Sequence, residues 1–259
     1  MKRREFLTAS CIAGMTGLKT ASGFAPGGSS QRDFYELRKY TLEKRVQKVG
    51  FDAFLAKAAI PAFNRIGIRP VGVFEPEDDF NPVYVLLRHA SMDSIATATQ
   101  KLLADQEYLN KGADFLNAPA TDPAYARVES SILLAFTGMP KLEKPVTSAG
   151  RVVQLRIYES PSVKTGQKKI EMFNRAEINI FRKTGLHPVF FGEALAGLNM
   201  PNLTYMLMFD SREEQKANWR RFGSHPEWKK LRAMPEYADK KILCNITNLN
   251  LKPASYSQL

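Results

Sequence analysis

Phe34-Tyr35-Glu36-Leu37-Arg38-Lys39-Tyr40 returns 118 positions later as Val152-Val153-Gln154-Leu155-Arg156-Ile157-Tyr158. The same offset relates Phe63 to Phe181, Gly67 to Gly185 and Pro70 to Pro188. One offset held over about thirty-five positions marks a duplicated domain, because solenoid units recur at roughly 20 to 50 residues. Each copy opens on a strand of alternating character. In the second, Val153, Leu155 and Ile157 point to one face and Gln154, Arg156 and Tyr158 to the other.

Downstream, Phe51, Phe54, Leu55, Ala58, Ala62, Phe63 and Ile66 form an amphipathic helical stripe, with Pro61 expected to kink or split it. Ile170, Phe173, Glu177 and Phe181 mark the same stripe in the second copy. Gly67 and Gly185 stand where a C-terminal helix cap needs glycine. Short strands follow at Val71 to Phe74 and Val189 to Phe191, then third strands at Val83 to Arg88 and Leu203 to Phe209. Second helices (Ala96 to Leu103, Glu213 to Phe222) and last strands (Ser131 to Phe136, Ile242 to Thr247) complete each unit. The order β-α-β-β-α-β is the ferredoxin-like unit, an α+β architecture with helices on one sheet face. Two such units bury their bare faces against each other, which predicts an intramolecular α/β barrel.

The chain opens Met1-Lys2-Arg3-Arg4-Glu5-Phe6-Leu7-Thr8. Paired arginines followed by Phe-Leu, then a short apolar stretch from Ala9 to Leu18, read as a twin-arginine export signal. Cleavage is expected before Phe24, which makes residues 1–23 the signal, 24–31 a flexible lead-in and the mature protein periplasmic. The signal carries Lys2, Arg3, Arg4 and Lys19 against Glu5, so the net charge falls from +11 to +8 on its removal. The remaining basic pairs, including Lys168-Lys169 and Lys229-Lys230, read as solvated faces. No basic stripe on a nucleic-acid-reading module is present, and no stable membrane insertion is expected after cleavage. Cys244 is then the one remaining cysteine and reads as a small buried hydrophobe in a strand.

With these words in view, the chain resembles the NIPSNAP family of the dimeric α/β barrel group. The resemblance is carried by Glu177-Ile178-Asn179-Ile180-Phe181-Arg182-Lys183-Thr184-Gly185-Leu186-His187-Pro188, by Pro201-Asn202-Leu203-Thr204-Tyr205 and by His225-Pro226-Glu227-Trp228. It is weaker in the first copy, where Ala59 stands for Glu177 and Arg69 for His187. It implies a first NIPSNAP-like repeat at 32–140, a linker at 141–150 and a second repeat at 151–259. The family lends a fold and no agreed catalytic residues. Relatives in the wider group bind small, often aromatic molecules between sheet and helices, and some oxidise or isomerise them.

Alternation, taken with helices on the apolar face, predicts that Gln154, Arg156 and Tyr158 face the barrel interior, with Arg38 and Tyr40 as first-copy equivalents. A buried arginine needs a partner, and Glu177, on the apolar stripe, is the expected partner of Arg156. These residues, with His187 and Tyr205, are the candidate ligand-binding set; Glu177, His187 and Arg156 are the candidates for catalysis. His89, His187 and His225 lack metal-ligand spacing, and neither a phosphate loop nor a nucleophile motif is present. Trp228 reads as an aromatic anchor, and the methionines of the second copy as core filling. Two readings follow. One is a non-catalytic module for a small, partly apolar ligand or a protein partner. The other is a cofactor-independent monooxygenase or isomerase acting on a small, partly apolar or aromatic substrate in the barrel interior. Both leave an oligomer possible.

Overall fold

The computed structural model describes residues 31–259. The expected export signal and almost all of the lead-in lie outside them. Among the described residues no helix is long and apolar enough to cross a membrane.

The first unit runs β1 (Phe34–Thr41), α1 (Arg45–Phe54), α2 (Ile60–Arg65), β2 (Val71–Pro76), β3 (Val83–His89), α3 (Met92–Leu103), the short α4 (Gln106–Lys111) and α5 (Ala113–Leu116), and β4 (Arg127–Ala135). The second runs β5 (Val152–Glu159), α6 (Val163–Met172), α7 (Ile178–Lys183), β6 (His187–Ala196), β7 (Asn202–Phe209), α8 (Arg212–Ser224), α9 (Pro226–Arg232), α10 (Asp239–Ile242) and β8 (Asn245–Pro253). Within each unit the first strand is flanked by the third and fourth, the ferredoxin-like order. Pairings β4–β6 and β2–β8 then join the two sheets into one closed eight-stranded antiparallel barrel. The predicted fold is the observed one.

The long helix of each unit is broken in the same way. A π turn, Leu55–Ala59, links α1 to α2, and its counterpart, Phe173–Glu177, links α6 to α7. The second copy has no proline there, so Pro61 is not the cause; it sits near the start of α2, where a missing N–H is harmless. Both helices end in a Schellman cap. Gly67 (φ 83°) and Gly185 (φ 78°) take the left-handed conformation. Ile68 N–H then donates to Phe63 O and Leu186 N–H to Phe181 O, both at 2.9 Å. The chain thus turns sharply into the second strand. At the β4–β6 seam, a Cβ on Gly192 would lie 2.8 Å from that of Leu133, so the close approach of the two sheets requires glycine.

The barrel interior is apolar and filled. Tyr35, Leu37, Phe74, Tyr84, Leu86 and Leu133 from the first unit meet Val153, Leu155, Val189, Phe190, Met206 and Met208 from the second. This corrects the facing predicted for the opening strands. Leu37 and Leu155 point into the barrel, whereas Tyr40 and Tyr158 pack with the helices. An eight-stranded barrel is just wide enough for side chains to fill it, and charged groups there would face only apolar neighbours.

The segment 141–150 carries no strand or helix but is anchored: Val146 is buried in the barrel core and Glu143 N–H donates to Val189 O. The last strand of each unit also differs from expectation. The second starts at Asn245, after a short helix has taken Asp239–Ile242, so Cys244 is exposed rather than buried.

Candidate functional site

The polar face of each opening strand lies beneath its own helices. Lys169 on α6 and Glu177 at the end of the π turn both point at the sheet, 1% and 2% exposed. Their charged atoms are 3.5 Å apart, and Asp239 on α10 covers Lys169 at 3.4 Å. The ammonium also lies over the rings of Phe173, Tyr158 and Trp228 at 5.2, 5.6 and 6.0 Å. Burial pushes the Glu177 carboxyl up, against the pull of Lys169. Burial alone would lower Lys169, but Glu177 and Asp239 hold its proton and raise it.

Arg156 is held differently. Among the described residues it has no carboxylate within 4 Å; its guanidinium stacks on Trp219 at 4.8 Å and over Tyr158 at 5.4 Å, and its Nε is buried without a hydrogen-bond partner. Such stacking is the usual alternative to an ion pair for arginine. Tyr158 and Tyr205 share a hydroxyl–hydroxyl bond of 3.0 Å, and burial raises both phenols. Gln154 accepts from the Trp219 indole at 2.7 Å and donates to Asn248 at 2.8 Å.

The first unit builds the same layer with smaller residues at two of three positions and leaves room. The positions of Phe173 and Glu177 are taken by Leu55 and Ala59, and that of Lys169 by Phe51. The result is a cavity of about 180 Å3 between β1 and the helices, lined by Arg38, Tyr40, Phe63, Tyr108, Phe115 and Tyr125 among others. Phe54 and Phe115, stacked at 3.9 Å, form its outer wall and also line an external groove of about 400 Å3. At the polar end, Arg38 makes a two-pronged pair with Glu36, Nε to Oε1 at 2.7 Å and Nη2 to Oε2 at 2.9 Å. Ser130 donates to Glu36 at 2.9 Å. Burial would raise the Glu36 carboxyl, but the nearby His89 ring and the bound Arg38 guanidinium pull it down to about 2.

A family model for NIPSNAP matches residues 153–258. The second half of the chain is a NIPSNAP domain. No curated protein sequence matches the chain. Among solved structures, a monooxygenase-like protein from Fusobacterium nucleatum superposes with a TM-score of 0.56 at 9% identity, over 86% of this chain and 93% of its own. One from Lactobacillus acidophilus gives 0.55 at 8% identity, over 86% and 94%. A NIPSNAP-like domain protein from Burkholderia xenovorans gives 0.38 at 18% identity, over 42% of this chain and 90% of its own. The first two likenesses share with this chain the barrel fold.

Within the NIPSNAP domain the structure brings together Arg156, Tyr158, Glu177 and Tyr205, as the sequence suggested, but under the helices. Glu177 pairs with Lys169 rather than Arg156. His187 stands apart: it opens β6, more than a third exposed, with Nε2 3.5 Å from Glu214 on α8. Lys169 was hidden in a pair read as solvated; only its neighbour Lys168 is on the surface, bound to Glu171. One signal pointed to it. Lys169 lies eight residues before Glu177, on the same stripe of the same helix, and a carboxylate facing a packed sheet calls for a cation nearby. Trp228 packs on Phe222 with ring centroids 4.4 Å apart, as an anchor of the helical layer.

Proposed function

We propose that this protein is a binding module for a small, flat, partly apolar molecule, held in the cleft between sheet and helices of the first unit. The observation that carries this reading is the replacement of Phe173 and Glu177 by Leu55 and Ala59, which opens a cavity next to Arg38. Aromatic walls suit a planar ring, and the Arg38 guanidinium with the Tyr40 hydroxyl suits a carbonyl or oxyanion at its edge. The size admits a compound of one or two rings. Binding is favoured over turnover for two reasons. Glu36, the carboxylate behind Arg38, is bound to Arg38 and Ser130 and is a weak base when held near 2. Glu177, whose raised carboxyl would suit a general acid or base, is closed off beneath Lys169 and the helices.

Isothermal titration with naphthoate, an aromatic carboxylate of this size, tests the reading. Binding to the parent protein is expected, with loss of at least tenfold in Leu55→Phe, which fills the cleft as Phe173 fills its counterpart. Equal affinity of the two proteins contradicts the assignment.

Export by the twin-arginine route belongs to the same proposal and rests on Arg3-Arg4 and the apolar stretch behind them. Arg3→Lys with Arg4→Lys should leave unprocessed protein in the cytoplasm. Processed periplasmic protein beginning near Phe24 in that variant rules the route out.

A further inference from the structure

The cleft of the first unit shares a wall with the external groove. Phe54 and Phe115 are the two residues that line both spaces. Their rings stack 3.9 Å apart and 7° from parallel. Phe115 belongs to α5, a helix of four residues that closes onto α1 because Gly112 precedes it. A Cβ on Gly112 would lie 2.8 Å from Tyr108 O and 3.0 Å from Phe54 Cε2. Among the described residues, α5 makes no side-chain hydrogen bond or ion pair with another element. Apolar contacts hold it instead: Phe115 also meets the rings of Phe51 and Tyr125, each at 5.8 Å.

In the second unit the corresponding wall is latched. Tyr237 lies over the same part of the long helix and is 1% exposed. Its hydroxyl donates to Glu171 at 2.8 Å and accepts from Arg175 at 3.3 Å. At the 118-residue offset, Glu171 and Arg175 correspond to Ala53 and Lys57. Phe115 carries no hydroxyl and Ala53 no acceptor, so the first unit has the wall without the latch. A hydrogen bond fixes a direction, whereas apolar contact is non-directional and lets a ring slide.

We infer that Phe115 determines which ligands the cleft takes: it is an unlatched wall that swings aside for a chain, and the ligand is an aromatic carboxylate whose apolar chain runs into the outer groove. The inference rests on the cleft of the first unit being the ligand site. The carboxylate meets Arg38 on β1, the floor of the cleft, so the far edge of the ring points to the outer wall. A chain leaving that edge reaches Phe115. Beyond it, Val46, Ala53, Phe54 and Pro123 offer apolar surface, with Lys57 and Asp122 on the polar rim of the groove.

2-Naphthoate and 6-pentyl-2-naphthoate, whose chain leaves the ring opposite the carboxylate, are titrated into the whole protein, and the ratio of the two affinities is read. The pentyl compound is expected to bind the parent at least about tenfold more tightly, because several methylenes leave water. Two variants should bring the ratio to about one or below. Ala53→Glu with Phe115→Tyr installs the hydrogen bond of the second unit and holds the wall shut. Val46→Glu places a charge in the groove at a position 72% exposed, where the fold is not at risk. Naphthoate binding with a ratio near one in the parent, or a tenfold ratio that survives in either folded variant, overturns the role of Phe115 and leaves the cleft standing. No binding of either compound overturns both.

Discussion

Lys169 and Glu177 form an ion pair that cannot be lost one side at a time. Removing one partner of a buried pair typically costs about 3–5 kcal/mol, while replacing both by apolar groups is often neutral. Lys169→Met should therefore destabilise by that order, and Lys169→Met with Glu177→Leu should recover most of it. The loss has a pH signature. Burial already raises the Glu177 carboxyl, and without Lys169 it rises further. A group whose folded value is raised gives its stability below the unfolded value and loses it as pH rises through the folded one. The deficit of Lys169→Met should thus be smaller at pH 5 than at pH 8, whereas the double variant, with neither group, should track neither pH. Urea melts at the two pH values check both statements. Equal deficits at the two pH values would mean that Glu177 is solvated when Lys169 is gone. At this scale the sequence was partly legible. Arg156, Tyr158, Glu177 and Tyr205 are recognisable from alternation and the helical stripe, but their facing was inverted. Glu177 on the packing stripe, paired with a strand arginine, is consistent only with a polar sheet face turned to the helices. The apolar look of Val153 and Leu155 outweighed that, because the barrel interior needs apolar residues as much as a helix contact does.

The elements were more legible, since each is announced by local chemistry. Gly67 and Gly185 mark both helix ends, and Ser91, Ser162 and Ser211 cap the starts of α3, α6 and α8 with the side-chain oxygens expected of such residues. The π turns were not legible. A five-residue widening leaves the amphipathic stripe readable on both sides and shows no residue signature of its own, and the proline near one of them pointed to a kink of a different origin. The two caps also differ in a way that only three dimensions reveal. Both need the left-handed conformation, which costs a non-glycine residue about 1–2 kcal/mol. A Cβ on Gly67 meets nothing within 4 Å, whereas one on Gly185 lies 2.9 Å from the Asn218 amide nitrogen, which donates to Gly185 O at 2.7 Å. Gly67→Ala should cost about the conformational penalty alone, and Gly185→Ala more, since α8 must shift or release that bond. Denaturant midpoints that fall in the reverse order would show that the Asn218 contact yields freely.

For the whole molecule, the duplication in sequence implies two sheets with one bare face each, and the barrel covers both. The faces meet along the β4–β6 and β2–β8 seams. They are also tied by a side chain that crosses between units, Arg212 to Glu77 at 2.5 Å, and the connecting segment is held to the second unit by Arg182 to Glu143 at 2.7 Å. The C-terminal tail adds to the second seam, with Gln258 N–H donating to Val71 O and Leu259 wholly buried in the barrel. Tyr35, Leu86, Leu155, Phe190 and Met208 all lie on the shared faces, and each fully buried apolar side chain contributes about 1.5–3 kcal/mol. Five such residues alone match the whole stability of an ordinary domain, about 5–15 kcal/mol. A half separated from its partner exposes this surface and loses its seams. Cleavage at Gly150, an exposed position at the end of the connecting segment, leaves every strand intact and removes only the covalent link. The two fragments, produced separately, should aggregate or self-associate, and mixing them should restore one species with the melting behaviour of the uncut chain. Size-exclusion chromatography with light scattering distinguishes the outcomes. Two fragments that remain stable monomers and do not combine would mean that the buried faces are covered within each half, and the shared barrel would have to be abandoned.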